Sequence, residues 1–243
     1  MQQDYNLYTP EDHETWRLLY DRQLDSFHLA CDEYIQGVSS IGFTREAIPV
    51  FDEMNRNLSD ITGWEVAVVP GWIPENVFFE MLFSRKFPSS TWLRKRHQLD
   101  YLEEPDMFHD VFGHVPLLAN QDFVNFLFEI SKIGLEHIEN PEALELIARV
   151  YWYTVEFGLI QQNDKLKIYG AGILSSPGET IYAVSNKPTH KEFNVKELVS
   201  TPFKKDEFQP QYFVIDSFCQ LYDSVGEIHL EISKKLAEEG AVA

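Results

Sequence analysis

The sequence predicts a mainly α fold with a few short β-strands, closed as a single compact domain, and three observations carry that prediction. Apolar residues recur at three- and four-residue spacing through most of the chain, the period of an amphipathic helix. Clusters of β-branched residues are few and short. No repeat, low-complexity tract or Pro/Gly/Ser linker divides the 243 residues, and one domain commonly spans about 100–250.

The elements follow in order. From Glu11 the series Trp16, Leu19, Tyr20, Leu24, Phe27, Cys31, Tyr34 and Ile35 keeps helical spacing. Thr44 to Ser59 reads as a second helix, with Pro49 in its first turn or bending it. Glu65–Trp72, EVAVVPGW, is short and β-branched and reads as a strand ending at Pro70-Gly71. Pro74 opens a helix that Pro88 closes. Asp122–His137 is a strongly apolar helix, and Asn140-Pro141 starts another that runs to about Gln162. Ile168–Val184, with three glycines, reads as loop plus short strands. After a turn-rich basic loop, Asp216–Glu239 closes the chain as one amphipathic helix.

Composition narrows the function. Acidic residues outnumber basic ones 39 to 20, for a net charge of −19. Such a field repels phosphate backbones and anionic bilayers, so neither nucleic acid nor membrane is an expected partner. Two cysteines almost a chain apart, Cys31 and Cys219, suit a reducing cytoplasm and read as small buried hydrophobes. No signal peptide or run of about 20 apolar residues is seen. There is no GxGxxG, P-loop, CxxC or GxSxG, so nucleotide cofactors and Ser or Cys nucleophiles lack support. The 34 aromatic side chains are an unusually large stock of flat apolar surface for so acidic a chain.

One segment carries chemistry. LEEPDMFHDVFGHVPLL holds His109 and His114 five residues apart, which on a regular α-helix leaves the rings about 140° apart. Gly113 and Pro116 both favour ending the helix there, and the two rings then converge. Further on, Glu156 stands among Trp152, Tyr153, Val155, Phe157 and Leu159. A carboxylate in that company is neutral, paired or bound to a cation. Two histidines and one carboxylate suit a non-haem Fe(II) oxygenase with open coordination positions, and equally a zinc hydrolase. Ligand identity alone leaves both open, along with a non-enzymatic helical binding domain in which the three residues are structural. Asp106 and Asp110 are candidates to receive the second ring N–H of a ligating histidine. Arg94, Lys95, Arg96 and His97 form a basic knot, either a solvated face or a clamp for a substrate carboxylate. The other histidines, His137 and His229 among them, read as ordinary structural residues.

FHDVFGHVPLL, followed 42 residues after its last histidine by Glu156 in YWYTVEFGL, resembles the aromatic amino acid hydroxylases, and most closely the short bacterial-type enzymes that act on phenylalanine. YTPEDHETW, HLACDEY, TGW, YLEEPD, YGAGILSSPGE and FQPQYFV occur in that family's order and extend the likeness over roughly residues 5 to 230. The resemblance implies one catalytic domain over 1–243, with no regulatory domain and no tetramerisation tail, and hence a monomer. It implies Fe(II) held by His109, His114 and Glu156, and a tetrahydropterin as two-electron donor to dioxygen. Arg94 matches the arginine that holds the substrate carboxylate. Pro105, Trp152, Phe157, Gly172 and Ser175 match the walls of the amino acid pocket. Ile73, Phe78, Asp110, Ala148 and Tyr151 match positions around the pterin, whose ring is expected to stack on Phe78.

The implied reaction is hydroxylation of L-phenylalanine to L-tyrosine. The alternative is the same chemistry on tryptophan or tyrosine, because Phe203-Lys204-Lys205-Asp206 puts lysines where a small or apolar residue is expected near the substrate. Trp152 favours the phenylalanine and tyrosine types.

Overall fold

Thr9 begins the first helix with a capping box, its hydroxyl accepting from the Asp12 N–H while the Asp12 carboxylate accepts from the Thr9 N–H at 2.9 Å. The computed structural model describes residues 1–100, 102, 104–205 and 207–240, with backbone only for the last two. Tyr101 and Glu103 of the YLEEPD motif and Asp206 of the lysine loop lie outside the described residues. Among the described residues eleven α-helices follow the order α1 Pro10–Leu24, α2 Asp32–Ile41, α3 Phe51–Ile61, α4 Glu75–Phe83, α5 Gln121–Glu136, α6 Pro141–Tyr151, α7 Ala171–Leu174, α8 Pro177–Ala183, α9 Val195–Ser200, α10 Phe218–Asp223 and α11 Val225–Gly240. Six short strands are interspersed: β1 Glu65–Val68, β2 Lys86–Ser89, β3 Leu159–Gln162, β4 Lys165–Ile168, β5 Thr189–Glu192 and β6 Gln211–Ile215. The expected class is the observed one. No helix among the described residues is long and apolar enough to cross a membrane.

Several boundaries differ from the sequence reading, each for a physical reason. The Glu11–Ile35 periodicity is broken after Leu24, because residues 27–30 leave the helix so that Cys31 N–H can bond the Ile168 carbonyl at 2.8 Å. The second helix starts at Phe51 and not at Thr44. Pro49 biases its predecessor away from α geometry, and the Gln3 side chain caps the new start by accepting from Phe51 N–H at 2.9 Å. The first strand stops at Val68. Helix α4 ends at Phe83, and Pro88 lies within β2, paired in parallel with β1.

The helix from Pro141 does not reach Gln162. It passes into a π-turn over Trp152–Glu156 and then into β3. Asn163 and Asp164, both with positive φ of 51° and 58°, turn the chain into antiparallel β4, the backbone that a two-residue hairpin of primed type demands. Strand order in that sheet is β4-β3-β6-β5, with β6 parallel to both neighbours. Residues 171–183 are two short helices and not strands; Pro177 sits in the first turn of the second. The closing helix is interrupted at Ser224 into α10 and α11. Cys31 is buried as expected, whereas Cys219 is exposed.

The core sits behind the two-histidine segment. Phe108 and Phe112 stack at 4.6 Å, and Trp16, Tyr20 and Phe27 close on them at 5.4, 5.3 and 5.9 Å. Aromatic pairs of this kind contribute about 0.5–1.5 kcal/mol beyond their buried area. Helix α2 crosses the turn that follows His114 so closely that a Cβ on Gly37 would lie 2.0 Å from the Pro116 carbonyl oxygen. Backbone must then move. Gly37→Ala is expected to cost about 1–3 kcal/mol, as overpacking of a filled core does; a denaturant midpoint equal to wild type would contradict this.

Candidate active site

His109 and His114 lie on a continuous π-turn, Phe108–His114, that runs on into a 3₁₀ turn over Val115–Ala119. The helix does not end at Gly113; it widens. An i→i+5 ladder sets residues five apart over one another, so the spacing that is wrong for an α-helix is right here. Gly113 serves a different purpose. A Cβ there would stand 2.9 Å from the Ala171 carbonyl oxygen, so its absence lets α7 press onto the turn. Glu156 ends the second π-turn, where Phe157 N–H bonds the Trp152 carbonyl at 2.8 Å.

The three side chains meet. His114 Nε2 is 3.2 Å from His109 Nε2 and 3.1 Å from Glu156 Oε1, and His109 Nε2 is 3.6 Å from Glu156 Oε2. Ligands bonded at roughly 2.1 Å to one ion stand roughly 3 to 3.4 Å apart, so the set matches a single metal. Protonation matches too. Ser175 Oγ gives its proton to the Ala171 carbonyl at 2.8 Å and therefore accepts from His109 Nδ1–H at 2.9 Å. That fixes the tautomer and leaves the Nε2 lone pair facing Glu156 and His114. Burial lowers the His109 pKa to about 4, against an opposing pull from Glu156. For Glu156, burial pushes upward, but the imidazoles of His114 and His109 outweigh it and hold the carboxyl below its ordinary range. Neutral imidazole and ionised carboxylate are the ligating forms.

Asp106 and Asp110 do not take the histidine N–H groups. Asp106, fully buried, accepts from Arg94 N–H, Nε and Nη2 at 2.8, 2.9 and 2.8 Å and from His109 N–H at 3.1 Å. Asp110 accepts from Ser90 N–H at 2.8 Å, and burial pushes its carboxyl up to about 7. His114 Nδ1 is buried with no partner among the described residues. The basic knot is dispersed: Arg94 turns inward, while Lys95 pairs with Asp12 at 3.0 Å and Arg96 reaches Glu14 at 4.0 Å.

Two lobes of one cleft join at the triad. The larger, of about 870 Å³, is lined by Arg94, Pro105, Trp152, Phe157, Gly172 and Ser175, all six residues expected at the amino acid pocket. The smaller, of about 280 Å³, is lined by Ile73, Phe78, Asp110 and Tyr151. Ala148, grouped with those four from sequence, lines the larger lobe instead. Phe78 meets Tyr151 edge-on at 5.5 Å. Trp72 and Glu75, which sequence reasoning passed over, line both lobes; their place just after Gly71, beside Ile73, was the available signal.

The lysine loop departs from expectation favourably. Phe203 is the inward residue and stacks on Trp152 at 4.4 Å, continuing the Trp152–Phe157 contact at 4.5 Å. Lys204 turns outward to Glu207 at 3.0 Å, and Lys205 lies over the Trp72 ring at 5.7 Å on the cleft edge. The wall stays aromatic.

A family model described as biopterin-dependent aromatic amino acid hydroxylase matches residues 4–239. The chain belongs to that family. Among its relatives, the phenylalanine-4-hydroxylase of Ralstonia nicotianae is 50% identical over 226 residues, 92% of this chain and 72% of that one. The Chromobacterium violaceum phenylalanine-4-hydroxylase is 45% identical over 238 residues, 97% of this chain and 80% of its own. A crystal structure of the latter enzyme with iron(III) and the oxidised cofactor 7,8-dihydrobiopterin superposes with a TM-score of 0.91, covering 96% of this chain and 86% of that one. Within a hydroxylase the zinc-hydrolase and binding-domain readings lapse, and iron and a biopterin are the cofactors, with the His-His-Glu set to hold the iron.

The hydroxylase also carries supports that no motif announces. Trp152 Nε1–H bonds Gln209 Oε1 at 3.0 Å, Gln209 N–H bonds Glu179 Oε1 at 3.3 Å, and Tyr212 O–H bonds the same oxygen at 2.7 Å. Burial raises the Glu179 pKa above its ordinary 4.5, although those two donors oppose it. A carboxyl raised in the folded state contributes stability that is full below the unfolded value and lost as pH rises through the folded one. Accordingly Glu179→Gln is expected to flatten the fall in urea midpoint that wild type shows on raising pH above about 4.5; parallel pH profiles for the two proteins would refute the assignment.

Proposed function

We propose that the chain hydroxylates L-phenylalanine to L-tyrosine, using dioxygen, ferrous iron and a tetrahydropterin. One observation carries the reading: a pocket with a cationic head and aromatic walls and a second aromatic lobe open onto the same His109–His114–Glu156 centre. Iron and pterin together supply dioxygen activation and the two electrons that reduce one oxygen atom to water.

The chain's own residues bind, orient and exclude water. Arg94 makes two side-chain hydrogen bonds, both to Asp106, which leaves three of its five N–H donors for an amino acid carboxylate. The bonds from Asp106 fix that fork before substrate arrives, which lowers the ordering cost of binding. Trp152, Phe157 and Phe203 give flat apolar walls against which a phenyl ring packs by face and edge. Phe78 and Tyr151 do the same for the pterin, and Asp110, poised near neutrality, can donate or accept a hydrogen bond to it. Burial of this apparatus keeps water from the reacting centre. In this reading the protein acts as a cytoplasmic monomer on small molecules. Its charge of −19 argues against nucleic acid and anionic membrane as partners.

The test offers phenylalanine, tyrosine and tryptophan together to iron-loaded protein with tetrahydropterin and air. Tyrosine formed from phenylalanine as main product, and lost on chelation or on omission of pterin, is the expected result. No hydroxylated aromatic amino acid, or hydroxytryptophan as main product, would overturn it.

A further inference from the structure

Outside the His109–His114–Glu156 set, the end of α5 meets α11 in a cluster that hydroxylation leaves unused. Glu136 is the last residue of α5, His137 is its cap, and His229 projects from α11 against them. One donor atom from each lies within 4.8 Å of the others. His229 Nε2 is 3.4 Å from Glu136 Oε2, and the two imidazoles are 6.0 Å apart at 78°.

Three features point to a cation. His137 Nε2 is buried without a hydrogen-bond partner among the described residues, and an orphaned buried polar atom calls for an explanation. Glu136 occupies the negative end of the α5 dipole, where a cation belongs, and the last turn has no basic residue. Lys132, one turn earlier, is engaged with Glu129 at 2.7 Å. Finally, the donor set is two imidazoles and a carboxylate, in a chain of net charge −19. A simple His229–Glu136 ion pair accounts for two of the residues, requires a protonated imidazole, and leaves His137 unsatisfied.

We infer that Glu136, His137 and His229 form a second metal site, separate from the catalytic iron, for a divalent d-block cation with Zn(II) as occupant. Imidazole nitrogens disfavour Mg²⁺ and Ca²⁺, which take oxygen ligands. Zn(II) accepts three protein ligands and a water in tetrahedral geometry. Its ligands stand roughly 3.4 Å apart, and Glu136 and His229, both exposed at their side chains, can close to that spacing by rotamer adjustment. Bound there, the ion would pin α11 to the end of α5 as a structural staple.

Iron-loaded protein is dialysed against micromolar Zn(II), freed of loose metal by gel filtration, and analysed for both metals and for melting temperature. The expected result is one zinc per chain beside the retained iron, with a raised Tm. His229→Ala and Glu136→Gln should each weaken zinc binding at least about tenfold and abolish the zinc-dependent rise in Tm, while iron content and hydroxylation rate stay at wild-type values. No retained zinc, zinc gained mole for mole with iron lost, or equal zinc uptake by wild type and His229→Ala would each overturn the site. The metal contents decide the matter even if the hydroxylated product is other than tyrosine.

Discussion

Glu156→Ala is expected to abolish hydroxylation and to weaken iron binding at least about 100-fold, since loss of an outer partner alone costs 10–100-fold. The remaining imidazoles face each other at 3.2 Å with no negative charge between them, so two neutral donors must hold a dication without compensation. The metal-free fold loses a contact as well. In metal-free wild type Glu156 Oε1 lies 3.1 Å from His114 Nε2, and, against burial, the two imidazoles hold the carboxyl below its ordinary range, so folding favours the ionised form. The metal-free variant should therefore melt below metal-free wild type, and the rise in Tm on adding Fe(II) should disappear. Iron content, turnover and the two melting curves give the answer. Wild-type iron content in the variant would make the residue structural and remove the basis of the proposed reaction.

The same residues show how far the sequence could be read. Helices with strong periodicity are found where their pattern lies: Asp122–His137 is observed as Gln121–Glu136, started by the Asn120 side chain accepting from Phe123 N–H at 2.9 Å. Errors fall where tertiary structure overrides local preference. Nothing in PVFDEM reveals that Gln3, almost fifty residues upstream, caps Phe51. YWYTVEFGLIQQ reads as a continuation of the helix from Pro141 because apolar residues run on through Ile160; the Asn163-Asp164 turn was the signal against it. At the site, residue types were legible and their connections were not. A cluster of His109, His114 and Glu156 follows from chemistry, but the α period gives the wrong route to it. The π-turns come from backbone hydrogen bonding that composition does not encode. Likewise the role expected of Asp106 falls to Ser175: the carboxylate serves the arginine, and the hydroxyl, while lining the pocket as expected, orients the histidine.

Asp106→Ala is expected to be among the most destabilising single changes in the chain, by about 3–5 kcal/mol, the cost of breaking a buried ion pair by removing one partner. Arg94 is 7% exposed and Asp106 0%, so the guanidinium left behind meets the cleft only by its free N–H groups, while Nε and Nη2 on the Asp106 side lose their buried acceptor. The Phe108 ring lies 5.9 Å from the Arg94 Cζ. The His109 N–H at the start of the π-turn loses its acceptor as well. Because the penalty comes from the stranded charge, Arg94→Met in the same chain should recover most of the lost stability, since apolar replacement of a whole buried pair is often neutral or favourable. Activity should not return, because the carboxylate clamp is then gone. Denaturant unfolding of the two single variants and the double variant tests this as a thermodynamic cycle. A destabilisation by Asp106→Ala of under about 1 kcal/mol, or strictly additive effects in the double variant, would show that the pair is not what holds the pocket. A milder change separates fold from binding: in Asp106→Asn one amide oxygen still accepts from the fork, but the amide N–H₂ opposes a guanidinium donor. Its KM for the amino acid should rise far more than its KM for the pterin, because Arg94 lines the larger lobe alone. Equal rises in both would mean that Asp106 acts on the metal centre through His109 and not on substrate through Arg94.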